Sequence, residues 1–485
     1  MLFNSYIFIF CFLPVVLFGF YAIAKYYGDD SAKLWLVCAS LCFYAWLGKE
    51  WTFLLLGSAL FNFVIAQEIS TASRSLRKLF LTSGVLVNIG LLAYFKYRHE
   101  FVFGLNLFFD QSFTLPQIIL PLAISFFSFH QVAYLVDVYQ KRIDAETRLS
   151  NYLLFISFFP HLIAGPILYY REIKPQLQNR NISKLNLNNL KTGCYLFALG
   201  LVKKTWVADT LGDWVDSGFA HSTQLNQGES IALTYLFGLQ LYFDFSAYCD
   251  MALGLACLFN ISFPLNFNSP YKASNLQEFW LRWHITLGRF FRDYVYIPLG
   301  GNRLSFSRQQ GNLLIVMVLS GLWHGSNWLF FLWGLWHGIG MVILQFWRKT
   351  KIQLPRYAGQ LLTVNFWVLS LVFFRSTHWD QAHTLYSNIF SWSHNEWLLK
   401  KEHFISDSNP FYWLLTTPDM KDMISSFLIG GALLAGYLIC ILSPNAVQLA
   451  DKSLTSKYYW LKLGAILSLG LFMITGYTPF IYFQF

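Results

Sequence analysis

Charge is scarce in this chain. Only 12% of its 485 residues are Asp, Glu, Lys or Arg, against roughly 25% in a soluble domain, and this excludes an ordinary soluble enzyme or binding module. Cysteine offers no framework. The seven (Cys11, Cys38, Cys42, Cys194, Cys249, Cys257 and Cys440) form no CxxC pair and sit nearly all in apolar runs, so they read as small buried hydrophobes and not as disulfides. No His/Cys/Asp group has zinc-ligand spacing, and no metal is expected. A GxSxG elbow is missing, which argues against an internal serine relay. Gly300-Gly301 lacks the strand-to-helix setting of a nucleotide loop. Repeats, low-complexity tracts and a separate soluble domain are also missing. The opening MLFNSYIFIFCFLP has neither a basic first region nor a small-residue cleavage site, so a first span is expected there and not a removed leader.

What is present in quantity is apolar and aromatic surface: 55% hydrophobic residues and 19% aromatic ones, led by 49 Phe. About 20 apolar residues cross a bilayer. Apolar runs lie at about 5–24, 34–48, 52–67, 79–96, 116–138, 192–208, 229–260, 311–330, 331–347, 359–374, 425–443 and 459–481. The fold class expected is an all-α polytopic membrane protein of about 11–12 helical spans, a single domain over 1–485. The 311–347 region is too compact for two full spans, so half-helices are expected there.

The formal net charge is +10. Its carriers cluster in loops at 70–78, 140–148, 171–191, 272–308 and 348–356. In a membrane protein that pattern reads as cytoplasmic loops setting topology, and no nucleic acid is expected as a partner. Segment 150–170 then joins two loops on the same side. Pro160, His161, Gly165 and Pro166 interrupt it, and a re-entrant hairpin shielded by protein resolves the conflict. The acidic stretch 209–228 and a long segment at 376–424, with Trp379, His383, Trp392, His394, Trp397 and Pro410, fall on the opposite side. The latter is the expected extracytoplasmic loop and docking surface.

Ionisable side chains at membrane depth are costly and point to function. Three histidines, His284, His324 and His337, lie in or beside apolar segments between Glu278 and Gly338. A neutral imidazole can act there as a general base. On one continuous helix His337 would point about 220° away from His324, so it reads as structural unless the helix breaks at Gly325. Asp244 and Asp250 sit in another apolar run and need partners; Arg282 and Arg292 are candidates, with Asp293 closing a supporting network. His130 and His161 read as packing residues. Lys272, Arg282, Arg289, Arg292 and Arg303 could attract phosphates, although topology-setting charge explains most of them.

The ordered motifs carry more. They are LPLAISFFSFHQVAYLVDVY (120–139), FFPHLIAGPI (158–167), KKTWVAD (203–209), YFDFSAYCDMALGLACLFNISFPLNFNSPY (242–271) and the block from EFWLRWH through YIPLGGNR to GLWHG. Together they make the chain resemble the membrane-bound O-acyltransferase family, in its bacterial alginate O-acetyltransferase branch. Leu281, Gly288 and Phe290 stand where that branch more often has Arg, Ser and Trp.

The resemblance implies a catalytic core at 120–347 around a central cavity. His324 of the WHG motif would be catalytic, with His284 of the RWH motif beside it. On charge alone, and not from the resemblance, Arg282, Arg289, Arg292 and Lys272 are the candidates for holding the donor's phosphates. From burial and proximity in sequence, Asp244, Asp250, Asp293 and Trp323 are expected to form a supporting network. No permanently bound cofactor is implied. An acetyl group would pass from cytoplasmic acetyl-CoA toward an extracytoplasmic polysaccharide, directly or through a periplasmic acetyltransferase, at the bacterial inner membrane. His324 is then expected near the mid-plane, at the floor of a cytoplasmic funnel lined by 272–303. A D-alanyl transferase fed by a carrier-protein thioester is the alternative enzyme. A transporter would predict inverted repeats, and none is visible.

Overall fold

The structure, a computed structural model, describes residues 1–109, 119–391, 399, 401–404, 418–474 and 479–481. Trp392, His394, Trp397 and Pro410 lie outside the described residues. Among those described, all regular structure is helical. Helices are one of the few ways a chain in lipid can pair every backbone N–H and C=O.

The first five helices are α1 (Leu13–Tyr27, entered through a π turn at Phe8–Phe12), α2 (Asp29–Ala45), α3 (Lys49–Thr71), α4 (Arg74–Phe109) and α5 (Ile124–Tyr139). Three short pieces follow: α6 (Leu149–Ser157), α7 (Phe159–Leu162) and α8 (Tyr170–Leu177). Then α9 (Leu187–Val202) continues through a π turn at Lys203–Ala208 into α10 (Asp209–Ala220). The central pillar is α11 (Gln227–Leu258), apolar on every side and buried over 94% of its most apolar stretch. A helix apolar all round belongs inside the protein, and α9, α10, α16 and α19 pack around it.

The site region holds α12 (Leu276–Trp280), α13 (Ile285–Phe291), α14 (Phe306–His324), α15 (Trp328–Lys349) and α16 (Arg356–Arg375). The rest are α17 (Trp379–Ile389), α18 (Lys401–Phe404), α19 (Pro418–Leu442), α20 (Ala446–Leu454) and α21 (Tyr459–Phe472). Among the described residues, seven helical stretches are long and apolar enough to cross a membrane: Phe8–Tyr27, Lys49–Thr71, Arg74–Asn106, Gln227–Leu258, Trp328–Lys349, Arg356–Arg375 and Ser425–Leu442. The other apolar runs form helices that are shorter or more polar. An example is α14, which carries Arg308, Gln309, Gln310 and Asn312 in its first two turns.

Segment 150–170 forms no single span. The nine residues of α6 rise only about 13 Å, and the four of α7 turn away immediately at Pro160. Nearly all its residues are buried, against α2, α3 and α11. The basic loops on its two sides meet. Lys174 Nζ donates to the Asp144 carbonyl at 3.2 Å, Arg171 pairs with Asp137 at 2.7 Å, and the Tyr170 hydroxyl bonds Glu146. Both loops therefore lie on one face, hereafter the basic face. On the opposite face Arg375 pairs with Asp216 at 2.7 Å and Gln381 donates to the Phe219 carbonyl at 3.0 Å, joining α10 to α17.

Candidate active site

His324 is the last residue of α14. The helix stops at Gly325, whose φ of −162° is ordinary extended backbone, so its glycine is required by space. A Cβ there would lie 2.0 Å from the Phe330 ring. One turn back, a Cβ on Gly321 would meet the Phe330 carbonyl at 2.2 Å, and one on Gly334 would meet the Met317 carbonyl at 2.5 Å. Small residues let α14 and α15 pack backbone to backbone, as membrane helix pairs do. Asn327 starts α15 by accepting from the Leu329 N–H at 3.1 Å.

This break removes the single continuous helix on which His337 pointed away. The chain reverses, and His324, Trp333 and His337 meet edge to face in series, with ring centroids 5.2 Å and 4.8 Å apart. His337 is fully buried, and its Nε2 lies 2.9 Å from Ser370 Oγ.

His284 adopts a left-handed backbone, φ 45° and ψ 50°, uncommon for a residue with a Cβ and often found at functional sites. Its position at the cap of α13 is held by Asn266, which is fully buried. The Asn266 carbonyl accepts from the Ile285 N–H at 2.9 Å. Asn266 Oδ1 accepts from the Thr286 N–H at 3.2 Å and the Thr286 hydroxyl at 2.9 Å, and lies 3.2 Å from His284 Nδ1. A backbone N–H can only donate, so the atom facing it is the amide oxygen. His284 Nδ1 is then the donor, and Nε2 carries the lone pair.

A cavity of about 680 Å³ opens between α12–α13, α14 and α15. Arg289, Arg292, Arg348, Tyr296, Asn302 and Gln309 line its mouth on the basic face, and His284 and Ser320 lie at its inner end. Arg292 is 58% exposed there, bonding Asp293 at 2.8 Å. Arg289 pairs with Glu172 at 2.9 Å and stacks 4.7 Å from the Tyr169 ring.

The funnel expected from 272–303 is thus half built from α14 and α15. His324 is not at its floor. It lies one turn beyond Ser320, about 6 Å farther along α14. The turn that follows it bonds toward the opposite face. Asn327 donates to the Thr377 carbonyl at 2.7 Å. Trp323 bridges the two histidines, with its ring 6.0 Å from His284 and 4.8 Å from His324.

Two of the expected donor-binding residues lie elsewhere. Arg282 is engaged by Glu278 at 2.9 Å and the Asn268 carbonyl at 3.0 Å. Lys272 donates to the Ser443 carbonyl at 2.8 Å. Neither lines the cavity. Asp244 and Asp250 do not reach Arg282 or Arg292. They pair with Lys204 and Lys203, each at 2.7 Å. A π turn carries one residue more per turn than an α-helix, and here it brings both consecutive lysines of KKTWVAD onto α11. Asp293 does close a network, joining Arg292 to Arg171 at 3.5 Å and the Tyr169 hydroxyl at 3.3 Å. His130 and His161 are buried with rings 5.0 Å apart.

Three residues were not anticipated. Asn266 orients His284. Lys96 and Tyr97 of α4 donate to the carbonyls of Trp323 and Leu322, in the turn that ends at His324. Lys96 closes an apolar run, as an interfacial charge would, and nothing in the local pattern distinguishes Asn266.

Residues 145–377 match the family model described as MBOAT, membrane-bound O-acyltransferase family. The chain is 40% identical over 412 residues to a peptidoglycan O-acetyltransferase of Helicobacter pylori, covering 79% of this chain and 78% of that one. It is 38% identical over 400 residues to a probable alginate O-acetylase AlgI of Pseudomonas aeruginosa, covering 81% and 75%. A teichoic acid D-alanyltransferase of Streptococcus thermophilus shares 29% over 242 residues, covering 47% and 58%. The chain belongs to the membrane-bound O-acyltransferase family. It is a multi-pass membrane O-acyltransferase.

Proposed function

We propose that the protein moves an acetyl group from acetyl-CoA, entering at the basic face, to a hydroxyl of an extracytoplasmic polysaccharide, directly or through a periplasmic partner. The observation that carries this is the cavity running from three arginines to His284, with His324 one turn beyond. A thioester donor brings phosphates that suit Arg289, Arg292 and Arg348, and about 680 Å³ accommodates a pantetheine arm. Both acetyltransferase relatives match most of this chain, whereas the D-alanyltransferase matches less than half. A glycan acceptor follows from the names of the first two.

Acyl transfer requires the acceptor O–H to lose its proton as oxygen attacks the thioester carbonyl. His324, between the cavity and the opposite face, is the base. The carbonyl carbon–oxygen bond forms, the carbon–sulfur bond breaks, and the proton held by the imidazole can pass to the leaving thiolate. Positioned base catalysis of this kind contributes roughly 10²–10⁴-fold. His284 has a different task. With its Nδ1 proton directed at Asn266, it offers Nε2 as an acceptor, which suits orienting an amide N–H of the donor arm. It does not suit donation to an oxyanion.

The test is transfer of label from radiolabelled acetyl-CoA in isolated membranes. His324→Ala is expected to lower transfer by about 10²-fold or more with insertion unchanged. Near-normal transfer in that variant would falsify the mechanism, and label taken only from an aminoacyl carrier protein would establish the D-alanyl reading.

A further inference from the structure

We propose that Lys96 is a positioning residue of the transfer site, its ammonium fixing the last turn of α14 and with it the His324 imidazole. The proposal rests on the reading of His324 as the base.

The last four carbonyls of any helix have no intrahelical partner. In α14 these belong to the turn that ends at His324. Ordinarily a left-handed glycine or the following chain takes them up. Here Gly325 is extended and the chain leaves at once. Instead α4 supplies consecutive donors, Tyr97 to the Leu322 carbonyl and Lys96 to the Trp323 carbonyl.

These two bonds differ in kind. The tyrosine is neutral, whereas the lysine, when protonated, brings a cation to the negative end of a helix dipole. Lys96 is 22 residues into α4, about 33 Å from Arg74, at the far end of the span. An ammonium so placed on a lipid-facing helix normally snorkels outward. This one turns inward, and it lies within electrostatic reach of His324 along with His284 and His337. The Trp323 carbonyl uses one of its three N–H donors.

Consequently the imidazole is held from two directions. Trp333 and Phe374 pack its ring, with centroids 5.2 Å and 5.1 Å away. Lys96 anchors the peptide that carries it. Release of that anchor loosens the last turn, leaving the neutral bond at Leu322 and the ring packing on Trp333 and Phe374. The loss should fall on turnover, because the donor cavity is lined by other residues.

The experiment measures kcat and donor KM for acetyl-CoA on the full chain in nanodiscs, for Lys96→Met, Lys96→Arg, Tyr97→Phe and His324→Ala. Lys96→Met is expected to lower kcat about 10²-fold, the cost of roughly 1 Å of misplacement, with KM within about twofold. Lys96→Arg, which keeps the cation, should recover about a tenth or more of wild-type kcat, and Tyr97→Phe should lose less than about fivefold. Full turnover in Lys96→Met, a loss confined to KM, or Lys96→Arg no better than Lys96→Met would each overturn the proposal. If Lys96→Met is not recovered folded, Lys96→Gln, a neutral donor, replaces it, and turnover equal to Lys96→Arg overturns the proposal. Loss in His324→Ala beside normal turnover in Lys96→Met refutes the Lys96 role alone; transfer surviving in His324→Ala refutes both readings.

Discussion

Asn266 decides which nitrogen of His284 carries the proton, yet it is neither charged nor aromatic. Asn266→Ala removes the acceptor for the buried Thr286 N–H, a loss of about 1–3 kcal/mol. It also frees the imidazole to take either tautomer. Transfer should fall about 10²-fold by misplacement, close to the effect of His284→Ala and well beyond that of His337→Ala. The same radiolabel assay with a melting curve checks this, and His337→Ala as the more damaging change would contradict it. At this scale the sequence shows some residues and hides others. His284 and His324 stand out because ionisable groups are rare in apolar runs. Asn266 does not, because its partners at 284–286 come together only when the loop after α11 folds back. Lys96 closes an apolar run, where a lysine reads as an ordinary interfacial charge until α4 is placed against α14, more than two hundred residues away in sequence.

Between α14 and α15 the fit is made by glycines. Gly334→Leu must push the Met317 carbonyl or Val318 backbone away from contacts already at 2.5–2.9 Å for the first carbon. Overpacking of this sort costs about 1–3 kcal/mol, readable as a lowered melting temperature in detergent. Gly104→Leu, where a Cβ meets nothing within 4 Å, should leave it unchanged. The short pieces α6 and α7 give a topological test. Cysteines placed at Arg148 and Arg180 should show the same accessibility to an impermeant thiol reagent in intact cells; labelling of one alone would mean that the segment crosses. Hydropathy located the helices of 14 residues or more and none of the shorter ones, since apolar length is averaged over many residues. It put the division of 311–347 at residue 330, whereas the helix breaks at 325–327, because a three-residue turn vanishes in such an average. The hairpin at 150–170 was legible only through charge bookkeeping, as two basic loops must share a side.

For the molecule as a whole, charge is sorted. One face carries the arginines of the cavity, the other Asp209, Asp213 and Asp216 of α10. A field of one sign concentrates a phosphate-bearing donor at one entrance. Arg292→Glu should therefore raise the acetyl-CoA KM about tenfold with kcat unchanged, and the difference should shrink as salt approaches about 1 M, where the screening length is near 3 Å. A change in kcat without one in KM would place Arg292 outside donor binding. The positive mouth was legible in the basic loop at 272–308, but its third arginine, Arg348, lies 40 residues beyond that loop, in the last turn of α15. That partnership exists only because α15 returns to the basic face.

The burial of segment 150–170 has a consequence for how the protein is made. One of its walls is α11, whose residues 227–258 leave the ribosome after it. At roughly 5–20 residues per second, the 57 residues between Tyr170 and Gln227 take about 3–11 s to emerge. During that interval the hairpin has neither its final wall nor the length to cross alone. Its docking must therefore follow insertion of α11, making assembly of the catalytic core a late step in biogenesis. Chains interrupted before residue 227 should expose this segment to membrane proteases, and those carried past residue 258 should be protected.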